Sequence, residues 1–75
     1  MTGVVTRVFS AKGFAFVRGE DRQQRFIFAR SVVPVHDFDL LREGLAVSFV
    51  PVGTLNPDPR AKNNGLRAED VKVER

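Results

Sequence analysis

The chain has 75 residues, no cysteine, one histidine and a formal net charge of +3. This length predicts one domain, residues 1–75, and these residue types exclude disulfides, thiolate metal sites and multi-histidine zinc sites. No stretch approaches the ~20 apolar residues of a membrane span, and no export signal is visible. We therefore expect a cytoplasmic protein with no membrane partner, no metal and no cofactor.

Five short strands are predicted from apolar residues that alternate with polar ones and from the turn residues between them. They cover residues 3–9, 13–18, 25–29, 45–50 and 66–73. The spacing of Phe38, Leu40 and Leu41 predicts one helical turn that ends at Gly44. The segment 51–65 is rich in proline, glycine and asparagine, which predicts an exposed, mobile loop that carries Lys62. Short strands without an amphipathic helix favour a closed, antiparallel five-stranded barrel, because closure removes exposed edges.

The second predicted strand carries the pattern Lys-Gly-Phe-Ala-Phe-Val, which matches the first six positions of an aromatic RNA-binding signature. Phe14 and Phe16 are two residues apart on a strand, so they share one face and can stack on adjacent bases. Lys12 supplies a cation for the phosphate backbone. The competing interpretation is that both rings belong to the core. The core candidates are Val5, Val8, Val17, Val47, Phe49 and Val71.

Over nearly its whole length the chain resembles a cold-shock domain. The opening Gly-Val-Val resembles the family's first strand, Lys12 to Val17 its first nucleic-acid motif, and Phe-Ile-Phe-Ala-Arg-Ser at 26–31 its second. The segments 38–49 and 65–71 resemble its middle segment and its closing strand. The resemblance implies an all-β OB-fold barrel that binds single-stranded RNA or DNA and acts as a chaperone or regulator of nucleic acids.

Several positions depart from the family pattern. Arg7 stands where the family usually has a surface tryptophan, and Arg30 replaces a position that is commonly aromatic. In the second motif, one register puts Ile27 and Ala29 outward, and the other puts Phe26 and Phe28 outward. We expect the first, because the second would place the charge of Arg25 in the core. Phe9 fits the surface and the core equally well.

With these departures, the expected stacking surface consists of Phe14, Phe16 and Phe38 at the rim, with Ile27 beside them. Arg7, Lys12, Arg30 and Lys62 are expected to neutralise phosphates. Because stacking rings are lost, we expect weak and salt-sensitive binding by a monomer or weak homodimer. The alternative is a protein-interaction or self-associating barrel that has lost nucleic-acid binding. An enzyme is not expected, because no nucleophile, base and orienting group can be assembled.

Overall fold

The computed structural model describes residues 1–54 and 65–74, which form five strands and three short 3-10 helices. The strands are β1 (Thr2–Phe9), β2 (Phe14–Gly19), β3 (Gln24–Phe28), β4 (Ala46–Val52) and β5 (Arg67–Val73). The 3-10 helices are Ser10–Lys12, Ala29–Ser31 and Val35–Leu40. The predicted strands are therefore confirmed, although β4 begins one residue later and ends two residues later than expected. The predicted helical turn is also confirmed, although it ends at Leu40 rather than Gly44.

The five strands close into a barrel in the order β1-β2-β3-β5-β4. The first three strands form an antiparallel meander, and β4 returns to pair with β1, which gives the spatial order 4-1-2-3 of a Greek key. Closure comes from β5, which is antiparallel to β4 but parallel to β3 through the pair Phe26 and Arg67. The prediction of a purely antiparallel sheet is wrong at this pair, because strand directions cannot alternate all the way around a ring of five.

Inward-facing apolar side chains fill the barrel. Val17, Ile27, Val47 and Val71 are each 0% exposed, and Phe49 is 3% exposed. Five of the six predicted core residues are buried, and Val8 packs partly buried against them. Fully burying a side chain of this kind contributes about 1.5–3 kcal/mol, so this core is the main source of stability.

Two β-bulges reverse the inward and outward alternation within a strand. In β1, Val5 pairs with Val17 and Arg7 pairs with Phe16, so Thr6 is an extra residue. In β5, two residues lie between Glu69 and Lys72 opposite a single residue of β4, and one of them, Asp70, has a left-handed φ of 49°. A bulge changes which residues face the core beyond it. The β5 bulge explains why Ala68 and Val71, three residues apart, both face inward.

Candidate nucleic-acid interface

The strand β2 presents the two predicted rings to the outer surface. Ala15 and Val17 are 0% exposed, whereas Phe14 and Phe16 are half-buried on the opposite side of the strand. Gly13 precedes them with a φ of 76°, a left-handed conformation that favours glycine, and it ends the 3-10 helix that carries Lys12. The predicted orientation of Phe14 and Phe16 is therefore confirmed, and Lys12 is exposed at the start of their strand.

The predicted register of β3 is wrong. Ile27 is 0% exposed and belongs to the core, and Ala29 packs partly buried against that core. Phe26 and Phe28 point outward instead, directly opposite Phe16 and Phe14. Ile27 therefore cannot contact a ligand on this surface, and two rings take the outer positions of β3.

The side chain of Arg25 shows why this register is tolerated. Arg25 is only 6% exposed, but its guanidinium donates two hydrogen bonds to the Asp21 carboxylate, at 2.9 and 2.6 Å. Its charged group also lies 5.6 Å from the centroid of the Phe49 ring. These hydrogen bonds lower the pKa of Asp21 to about 2 and raise that of Arg25. The buried charge is therefore paired, and the assumption that burial would leave it unpaired was the error.

The bulge at Thr6 determines which side chains of β1 face the outer surface. Strict alternation from the buried Val5 would turn Arg7 and Phe9 toward the core. The extra residue reverses the alternation, so that Phe9 lies opposite Phe14 and Arg7 lies opposite Phe16 on the outer surface. Phe9, which could have been core or surface from the sequence, is half-buried on the outside.

Five phenylalanine side chains thus meet on the outer surface of three strands. We call this cluster the aromatic face, and its members are Phe9, Phe14, Phe16, Phe26 and Phe28. Contacting rings have centroids 4.6 to 6.1 Å apart. Phe14 and Phe26 are stacked at 22°, and Phe16 meets three neighbours edge-on. Each ring is half-buried, so it packs against the others while part of it remains accessible to a ligand.

Basic side chains border the aromatic face. The guanidinium of Arg7 lies 5.2 Å from the Phe9 ring centroid, and that of Arg30 lies 4.6 Å from the Phe28 centroid. Both arginines are exposed, so each keeps an accessible charge beside a ring. Two further arginines are exposed beside this face, of which the sequence left the first as a possible extension of the basic surface and did not assign the second. They are Arg18, which follows Phe16 on β2 by two residues, and Arg67, the β5 partner of Phe26.

Two other predicted site residues do not join this surface. Phe38 is 6% exposed and packs in the core, so the prediction that its ring lies at the rim is wrong. In the helix Val35–Leu40 the buried residues are Asp37 and Phe38, and the ring of Phe38 packs with the barrel core. Lys62 and most of the predicted loop 51–65 lie outside the described residues.

No protein-family model and no curated protein matches the chain. In the described part of the chain, no helix is both long enough and apolar enough to cross a membrane. Residues 1–54 and 65–74 also contain no cluster of three or more histidine, cysteine or acidic side chains that could hold a metal ion.

Proposed function

We propose that this protein binds single-stranded RNA or DNA on the aromatic face without catalysing a reaction. The observation that carries the proposal is that five partly accessible phenylalanine rings share one surface with flanking arginines. A barrel gains stability when its aromatic rings are buried, so rings clustered on the outside indicate an interaction site. Aromatic rings bind best to a ligand that has flat apolar faces. Unpaired nucleobases have such faces, and their phosphates complement the arginines.

Stacking would supply most of the affinity. One base stacked on an aromatic ring contributes about 1–3 kcal/mol and is tolerant of sequence, because every base has a π face. Arg7, Lys12 and Arg30 stand at the borders of the rings, where the phosphates of a bound strand would run. Duplex nucleic acid hides its base faces, so the same surface would discriminate against it.

We propose further that the barrel is of the OB type and that the chain is a cold-shock-like protein. The Greek-key order of the first four strands and the position of the aromatic motif on the second strand support this assignment. OB barrels use the face of strands 2 and 3 for oligonucleotides, and that face carries Phe14, Phe16, Phe26 and Phe28 here. A chaperone or regulator of nucleic acids in the cytoplasm, acting as a monomer or weak homodimer, fits a sequence-tolerant surface.

The outward rings of β3 change the expected strength of binding. Weak binding was expected partly because Ile27 and Ala29 were assigned the outward positions of β3, which Phe26 and Phe28 in fact occupy. We therefore propose affinity that depends on stacking as well as charge. The alternative of a protein-interaction barrel was motivated by Arg7, Ile27, Ala29 and Arg30 in place of the expected rings and histidine, with Ile27 as part of an exposed apolar patch. The 0% exposure of Ile27 removes this residue from that patch.

Anisotropy titrations of fluorescein-labelled hexathymidine and hexauridine, at several salt concentrations, test the proposal. We expect binding that weakens with salt by a slope of about −0.7 per phosphate contact. Phe14→Ala should weaken binding, whereas Val50→Ala, which removes an exposed apolar side chain from β4, should not. Absence of binding at low salt, or equal affinity of wild type and Phe14→Ala, would refute the proposal.

A further inference from the structure

One transverse row of outward residues crosses four strands of the barrel. Arg7 on β1 is the Cα partner of Phe16 on β2, and Phe16 is the partner of Phe26 on β3. Phe26 is in turn the partner of Arg67 on β5. Two rings are therefore bracketed by two arginines, one on each side of the aromatic face.

The strand β5 holds Arg67 firmly at this position. The amide of Phe26 donates a 3.1 Å hydrogen bond to the carbonyl of Leu66, which closes the barrel beside Arg67. Ala68, the next residue, is 1% exposed, so the exposed side chain of Arg67 lies on the outer side of β5. Adjacent strands are ~4.8 Å apart, so the path over the sheet from the Cα atom of Arg7 to that of Arg67 is about 14 Å, and the curvature of the closed barrel makes their direct separation shorter.

The neighbouring row of outward residues ends in an acidic side chain on β5 rather than in an arginine. It contains Phe9, Phe14 and Phe28, and the next outward side chain of β5 is the acidic Glu69. Glu69 accepts a 2.7 Å hydrogen bond from the hydroxyl of Ser31. A phosphate that leaves the aromatic face toward β5 is therefore favoured at Arg67 and disfavoured at Glu69.

We propose that Arg67 is a phosphate-binding residue and that the bound strand crosses the barrel from Arg7 to Arg67. This inference rests on the proposed function. It places a positively charged side chain on β5 at the edge of the aromatic face, beyond the three strands that carry the rings. Bases stack on Phe16 and Phe26, and the phosphates on either side of them pair with the two guanidinium groups.

Salt-dependent titration of hexathymidine with Arg67→Gln tests this assignment. Lys72→Gln is the matched control, because it removes the same charge from an exposed position of the same strand, beside Ser48 of β4. We expect Arg67→Gln to weaken binding roughly twofold to fivefold at low salt. It should also reduce the magnitude of the salt slope by about 0.7, and the double variant Arg7→Gln/Arg67→Gln by about 1.4. Lys72→Gln should leave the salt slope within error of wild type.

Hexathymidine with a nitroxide at one end locates the path of the strand. A label at one end should broaden amide signals near Arg67, and a label at the other end should broaden those near Arg7. If wild type binds and Phe16→Ala does not, but Arg67→Gln matches Lys72→Gln, the inference is overturned and the proposed function stands. Broadening near the same arginine from both ends would also overturn it. If wild type does not bind, the proposed function itself fails.

Discussion

Replacing Phe26 with leucine should weaken oligonucleotide binding while leaving the barrel folded. The Phe26 ring lies 4.8 Å from that of Phe14, 5.3 Å from Phe16 and 4.6 Å from Phe28, so it is central to the aromatic face. Leucine keeps an apolar side chain over the strand but has no π face. Losing one base–ring stack costs about 1–3 kcal/mol, which corresponds to a roughly fivefold to 150-fold increase in Kd.

Phe38→Leu is the matched control, because it makes the same chemical change at a ring that is 6% exposed. It should lower the free energy of unfolding by about 1 kcal/mol and leave Kd unchanged. Anisotropy with labelled hexathymidine gives Kd for both variants, and urea unfolding followed by circular dichroism gives their stability. If Phe38→Leu weakens binding as much as Phe26→Leu, or if Phe26→Leu leaves Kd unchanged, the assignment of the two rings is refuted.

Three further predictions concern the frame that holds the aromatic face. Gly3→Ala should destabilise the protein by about 1–3 kcal/mol in urea unfolding, because the new Cβ would overlap the backbone carbonyl of Arg18; unchanged stability would contradict this close packing. Deleting Thr6 would make Val5 and Arg7 consecutive residues opposite Val17 and Phe16, so the arginine and the phenylalanine that follow should stay outward and oligonucleotide affinity should be retained; a large loss of affinity would show that the bulge itself shapes the face. The folded pKa of Asp21 is about 2, below its ordinary 3.8, so its pair with Arg25 stabilises the fold above about pH 4 and loses that effect as the pH falls toward 2. Asp21→Asn should lower Tm at pH 7 and flatten the Tm profile between pH 5 and 2, and an unchanged profile would show that the pair does not contribute.

Local patterns in the sequence were enough to predict β2 and its two outward rings. Alternation over Phe14, Ala15, Phe16 and Val17 fixes the faces of that strand, and nothing in the structure overrides it. The parallel pair of β3 and β5 could also have been anticipated, because a closed ring with an odd number of strands must contain at least one parallel pair.

Contacts between distant or unexpected partners account for the errors. The alternation of β3 allowed two registers, and the choice depended on whether Arg25 could be buried. Its partner, Asp21, precedes it by four residues in the turn, so an acidic residue at that spacing was the available signal. The error at Phe38 came from the tertiary packing of a short helix. The position of Phe9 was left open, because it depended on a bulge that no residue type in the sequence indicates.

The contacts among the five rings also affect how much side-chain conformational entropy the protein would lose when a ligand binds. Each ring is already held by at least one neighbour within 6.1 Å before any ligand arrives, so its rotamer is restricted in the free protein. Immobilising a flexible side chain at an interface usually costs about 0.5–1.5 kcal/mol, and here folding has already restricted those rotamers. If a base binds as proposed, it would extend an existing stack, and the ordering needed for the complex would fall mainly on the nucleic acid.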